Sequence, residues 1–189
     1  DVDFGGRWFF WQDLHLVDHW SQNLALSAGT SLPTGASTIT ADGQLIDQHA
    51  QLGTGAASAY VGLLYGYNGD PMGLSLNATY RYRGTNDQGY QFGQAVSFGL
   101  GGHIRAMEDL ALTLSLDGRY AGYDQDWSAG AANGDTGGTV LDLTPGFGWQ
   151  IGDGVGISGR VQVPVFTNLF GTQLVTPTVD LSLQYVFSL

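Results

Sequence analysis

Residues 72–83, MGLSLNATYRYR, set the pattern for the chain. Met72, Leu74, Leu76, Ala78, Tyr80 and Tyr82 fall on one side. Gly73, Ser75, Asn77, Thr79, Arg81 and Arg83 fall on the other. Side chains alternate faces with period two in a β-strand, so this stretch predicts a strand with one apolar and one polar face. The same alternation recurs over 3–10, 23–32, 55–67, 95–105, 110–120, 140–151, 155–165 and 175–189. In 110–120, for example, Leu110, Leu112, Leu114, Leu116 and Tyr120 oppose Ala111, Thr113, Ser115, Asp117 and Arg119. The pattern therefore predicts about nine strands, each near the length that crosses a bilayer at a tilt.

Between them, short connections alternate with long ones. Residues 68–71 (NGDP), 106–109 and 152–154 (GDG) read as tight turns from their residue types. Residues 36–53, 84–89, 124–139 and 168–174 read as loops. Alternation breaks over 11–22, WQDLHLVDHWSQ, which we expect to be a turn with an interfacial piece flanked by Trp11 and Trp20. Short turns at one rim and long loops at the other are the asymmetry of outer-membrane barrels. The expected fold is thus an all-β, up-and-down antiparallel transmembrane β-barrel spanning 1–189. Such barrels have an even number of strands in bacteria. We therefore also expect at least one further strand N-terminal to Asp1.

Charge placement decides which face meets what. All six arginines (Arg7, Arg81, Arg83, Arg105, Arg119, Arg160) fall on the polar face of their strands. So do Asp3, Asp117, Asp142 and Asp180, and the apolar face is expected to carry no charge in any strand. The chain has no lysine and a single glutamate, so it lacks the mixed charges of a soluble exterior. An exposed wall of Leu, Val, Phe, Tyr and Trp aggregates in water but costs nothing in lipid. An arginine on the lipid face at the bilayer midplane costs roughly 2–4 kcal/mol. The expected arrangement is apolar side chains toward lipid and polar ones toward a lumen. The bland alternative is a large β-sandwich with one buried face.

Composition narrows the partners. The net charge of −11 argues against nucleic acid, which needs a basic surface. The absence of cysteine excludes disulfides and thiolate metal sites. No apolar run is long enough for a transmembrane helix. The expected partners are the lipid bilayer and a small-molecule solute, with a neighbouring outer-membrane protein suggested by the small residues Ala57 and Ala59.

The pore-lining candidates are Arg7, Arg81, Arg83, Asp117, Arg119, Asp142, Arg160, Gln162, Asp180 and Gln184. They can act as a charged constriction that selects solutes by sign. They can equally form an internal ion-pair ladder bracing a closed barrel, because enclosed charges must be paired or wet. His15 and His19 form H-x3-H, a metal-ligand spacing only on a helix. Asp42, Asp47, Asp87, Asp124, Asp126 and Asp135 make the loops acidic and would bind calcium only if several converged. We expect no cofactor and no enzymatic activity: His103 is the only strand histidine, and no serine stands in a nucleophile motif. Two alternatives to passage stay open, a closed structural or partner-binding barrel and an outer-membrane enzyme.

Six segments carry a family resemblance: DVDFGGRW (1–8), LSAGTSLPTG (26–35), residues 74–101, LTLSLDGRYAGYDQ (112–125), LTPGF (143–147) and VQVPVFTNLFGTQL (161–174). Together they make the chain resemble the outer-membrane barrel family labelled "transporter" or "MetA-pathway of phenol degradation". The resemblance implies a full barrel in the bacterial outer membrane that passes small hydrophobic or aromatic molecules. One departure is the chain end. Such barrels usually finish on Phe, whereas here Phe187 stands two residues before Leu189.

Overall fold

Alternation of apolar and polar residues produces a nine-stranded antiparallel sheet. A computed structural model describes residues 1–15, 19–152 and 154–185. Nine strands follow one another in chain order across it. They are β1 (Val2–His15), β2 (Trp20–Leu32), β3 (Ser58–Asn68), β4 (Met72–Arg83), β5 (Ala95–Met107), β6 (Leu110–Ala121), β7 (Gly138–Ile151), β8 (Val155–Leu169) and β9 (Thr178–Tyr185). Each pairs with its sequence neighbours, so the topology is a meander with no crossover. Among the described residues no pairing joins β1 to β9, and the sheet stands open at those two edges.

Several strands are longer than alternation alone suggests. β1 runs on through Trp11 to His15, and β2 begins at Trp20, so most of the segment expected to be a turn is strand. The cause is a bulge. Phe9 pairs with Ala25 and Trp11 with Leu24, which leaves Phe10 as an extra residue. One added residue inverts the parity of everything after it. Trp11, Asp13 and His15 therefore join the face of Leu24, Gln22 and Trp20. This corrects the expectation of a charge-free apolar face: Asp13 lies on it at the end of β1, with His15 Nε2 3.1 Å from its carboxylate. His15 also stacks on Trp20 at 3.9 Å between ring centroids. His15 sits at the end of a strand and His19 in a turn, so the helical face that H-x3-H requires does not form.

Two further bulges adjust the sheet. Val165 is extra between the pairs Leu141–Phe166 and Asp142–Pro164, and Ala106 between Arg105–Ala111 and Met107–Leu110. Phe166, rather than Val165, thus stands opposite Leu141. β7 and β8 also outrun the expected boundaries, starting at Gly138 and ending at Leu169. β3 and β9 start later than expected, at Ser58 and Thr178. Residues 186–189, with the expected strand end and the Phe187/Leu189 departure, lie outside the described residues, as do Asp18 and Asp153.

The sheet has no conventional core. Among the described residues the buried apolar ones are Ala25, Ala56, Tyr90, Ala95 and Ala121, and no large side chain is fully buried. Trp8, Leu63, Leu76, Phe98, Leu114 and Val163, which share one face, are all exposed. Cross-strand contacts carry the local packing instead. The ring of Tyr60 fills the space over Gly29, Phe147 that over Gly159, and Phe98 that over Gly118, each aromatic standing directly opposite its glycine. A bare glycine opposite an aromatic ring lets the ring cover the backbone hydrogen bonds of both strands.

The rims differ as expected. At one end the connections are short, such as residues 69–71 between β3 and β4. At the other end residues 33–57, 84–94, 122–137 and 170–177 are long. These loops hold structure of their own, which alternation did not reveal. A hairpin pairs Thr40–Ala41 with Gln44–Leu45, and a single 3-10 turn covers Gln48–Ala50. Tyr90–Gln91, Asp124–Asp126 and Ala131–Asn133 make a small three-stranded sheet across two loops.

Candidate functional site

The polar face collects the charged residues into levels set by strand register. Directly paired residues share a face, so one level runs Arg7, Ser27, Gly62, Thr79, Ser97, Arg119, Val140, Thr167. A second runs Phe9, Ala25, Leu64, Asn77, Gly99, Asp117, Asp142, Pro164. A third, nearer the short-turn rim, holds His103, Thr113, Gly146, Arg160 and Asp180. Arg81 and Arg83 stand above the first level, where β4 meets its long loop. Gln162 and Gln184 lie on the same face, opposite Thr178 and Gly156. All ten expected lining residues therefore share one face of the sheet.

That face is concave. A cavity of about 440 Å³ is lined by Asn68, Ser75, His103, Ser115, Thr144 and Arg160, which come from six consecutive strands, β3 to β8. Adjacent strands are spaced about 4.8 Å apart, so a flat sheet would separate the outer two of those six by roughly 24 Å. One cavity reaches all six because the sheet curls around its polar side.

Contacts between the charged residues are fewer than a ladder requires. Arg160 Nε lies 2.8 Å from Asp180 Oδ2, and both side chains are half exposed. Arg105 Nη1 lies 3.3 Å from Asp70 Oδ1 at the short-turn rim. Asp117 and Asp142 stand directly opposite, like charge to like charge. Each finds a neutral donor: Ser115 Oγ donates to Asp117 at 2.7 Å, and Gln162 Nε2 donates to Asp142 at 2.9 Å. Oδ1 of Asp142 is buried without a hydrogen-bond partner. Among the described residues Arg7, Arg81, Arg83 and Arg119 form no ion pair. Arg81 instead packs over the Tyr60 ring, 5.3 Å from its centroid, and Arg83 Nη1 donates to the Gly93 carbonyl. Arg83 is partly desolvated and repelled by Arg119 and Arg81, with Asp124 an opposing charge.

The long loops close over these arginines through residues that sequence alone did not single out for this purpose. Asn86 is the first tie. Its carbonyl oxygen accepts from the backbone N–H of Gln88 and Tyr90, while its amide donates to Gln48 Oε1 and to the Thr54 carbonyl. Asp124 is the second. It is buried and accepts from the Tyr90 hydroxyl at 2.6 Å and the Gly93 N–H at 2.6 Å. His49 Nε2 lies 2.8 Å from the same carboxylate. The rings of His49, Tyr90 and Phe92 meet edge to face around it, His49 and Phe92 with centroids 5.2 Å apart. Burial, and next the hydrogen bond to Asp124, push the Tyr90 hydroxyl well above its ordinary range. Three loops are thereby fastened together by one carboxylate.

The remaining loop aspartates do not converge. Asp47 accepts from the His49 N–H, and Asp126 accepts from the Ser128 hydroxyl at 2.6 Å. The Ser128 hydroxyl, then the Ala129 N–H, hold the Asp126 carboxyl below its usual value. Among the described residues no group of three His, Asp or Glu side chains could hold a metal ion. Under the loops lies a cavity of about 610 Å³ lined by Arg83, Arg119, His49, Phe92, Asp124, Asp135, Val140, Leu169 and Gln173. A guanidinium pair, apolar patches and a tethered roof make this a place where a small solute can be held.

No helix among the described residues is long and apolar enough to cross a membrane, which leaves crossing by strands untouched. No protein-family model and no curated protein matches the chain.

Proposed function

We propose that this chain forms the wall of a β-barrel in the bacterial outer membrane and that the barrel is a channel for passive passage of a small solute. The observation that carries the reading is the division of the sheet into an exposed apolar face and a concave polar face that holds all six arginines. With no large side chain fully buried among the described residues, hydrophobic burial does not account for the sheet's stability. A hydrocarbon phase against the apolar face supplies what the missing core does not. Spanning strands must also satisfy every backbone N–H and C=O, so in lipid the open edges of β1 and β9 have to be paired, and closure of the ring does this. The resemblance to the phenol-pathway transporter family supports the same reading.

Under it, the polar face is the lumen wall. Arg7, Arg81, Arg83 and Arg119 line its long-loop end, Asp117, Asp142 and Gln162 its middle, and Arg160, Asp180 and Gln184 its short-turn end. A narrow ring of fixed charge in a low-dielectric wall selects by sign and size. Planar-bilayer recording of the full-length protein tests the function. Discrete conductance steps are the expected result; a silent bilayer at protein levels that insert stably removes the channel.

A further inference from the structure

The arginines at the loop-covered end pose a physical problem. Arg81, Arg83 and Arg119 lie close enough for their charges to repel, yet none has an ion pair among the described residues. Asp124, the carboxylate that opposes them at Arg83, is committed to Tyr90, Gly93 and His49. Asp47 and Asp126 accept hydrogen bonds from their own loops. Asp135 is the one acidic side chain of the cavity wall without such a bond to its carboxylate. Repulsion that Asp124 only partly offsets is costly at a half-buried guanidinium such as Arg83, and an anion seated between Arg83 and Arg119 lowers that cost. The rest of the wall says what kind of anion. Phe92, Val140 and Leu169 supply apolar surface, and Gln173 an amide, beside Arg83 and Arg119.

We propose that the cavity of about 610 Å³ beneath the loops binds a small organic carboxylate with a short apolar tail. Arg119 and Arg83 take the carboxylate oxygens, and Phe92, Val140 and Leu169 take the hydrocarbon. This deepens the channel reading by naming the solute class at its outer mouth. Arginine suits the task because its planar fork offers paired donors matched to a carboxylate. The acidic loops outside disfavour anions in general, so capture depends on short-range contact with half-buried Arg83 and exposed Arg119 rather than on long-range attraction.

The test is binding, measured apart from conductance. Butyrate and its uncharged amide, butyramide, are titrated against the full-length protein in detergent micelles by saturation-transfer NMR, with empty micelles as blank. Butyrate is expected to bind at least about tenfold more tightly than butyramide, the difference of one charged hydrogen bond. R119Q is the diagnostic variant, because Arg119 makes no hydrogen bond or ion pair within the described residues and the fold does not lean on it. It should lose about tenfold in butyrate affinity, and R119K should keep part of it. Butyramide binding as well as butyrate, or R119Q binding butyrate like the unaltered protein, overturns the site. A silent bilayer ends the channel reading and leaves this titration standing.

Discussion

The ring of Phe98 occupies the volume that a side chain on Gly118 would take, the two residues facing each other across β5 and β6. The pair lies on the apolar face, where Phe98 is exposed at 46%. Alanine at 118 has to displace the ring or push the strands apart. G118A should destabilise the sheet by about 1–3 kcal/mol, the usual cost of forcing volume into a fitted contact. Leucine at 98 vacates part of the space, so F98L/G118A should cost less than the sum of the single changes. Urea unfolding of the reconstituted protein measures this; strict additivity would mean the ring and the glycine are not coupled.

Leu76 and Asn77 are neighbours in β4 that point to opposite faces. The chain has no cysteine, so L76C and N77C each carry a single label. A spin label at 76 should be relaxed by oxygen dissolved in lipid, and one at 77 by a water-soluble nickel complex. Introducing charge extends the test: L76R should lower bilayer stability by roughly 2–4 kcal/mol, and N77R by little. Reversed accessibilities would place the arginine face toward lipid and end the membrane reading.

Tyr90 and Asp124 predict a limit at high pH. The Tyr90 hydroxyl sits above the ordinary tyrosine value of 10.0, because burial and then Asp124 disfavour the phenolate. Between the ordinary and the raised value, the folded chain keeps a proton that the unfolded chain has lost. The stability this contributes is complete below the ordinary value and falls as pH rises past it. Difference titration of phenolate absorbance against Y90F should stay flat through about pH 10 and rise only as the loops open. At neutral pH, Y90F should cost about 1.5–3 kcal/mol locally, read as faster proteolysis in 84–94 and 122–137. A normal phenolate step would show that the three loops are not fastened at this point.

Arg160 and Asp180 should matter little by comparison. Their ion pair is short at 2.8 Å, but both side chains are at least half exposed. Pairs so exposed contribute about 0–1 kcal/mol. R160Q, D180N and the double variant should all unfold within about 1 kcal/mol of the unaltered protein. A larger loss would mean that the interior is drier than the exposure of these side chains indicates.

Strand order, pairing partners and the two faces were legible because period two is a local signal that nine strands repeat. Met72 to Arg83 matched its expected strand from first residue to last. What alternation could not supply was any feature that changes its phase. Phe10 is one residue without a partner, and it made WQDLH look like a turn although it is strand. The ten residues expected to line a lumen fell on one face, since face follows from parity. Their grouping did not follow, because a ladder and a set of unpaired arginines have the same parity. Loop chemistry was the least legible. Nothing local links His49, Tyr90 and Asp124, which are brought together only when three separate loops fold over the rim.

The bulge at Phe10 also fixes depth. By turning Asp13 and His15 to the side that carries Trp20 and the leucines, it ends the greasy surface at that height with an indole, an imidazole and a carboxylate. Groups of that kind settle where acyl chains give way to headgroups. Under the membrane reading proposed above, one supernumerary phenylalanine decides how far the wall sinks into a bilayer.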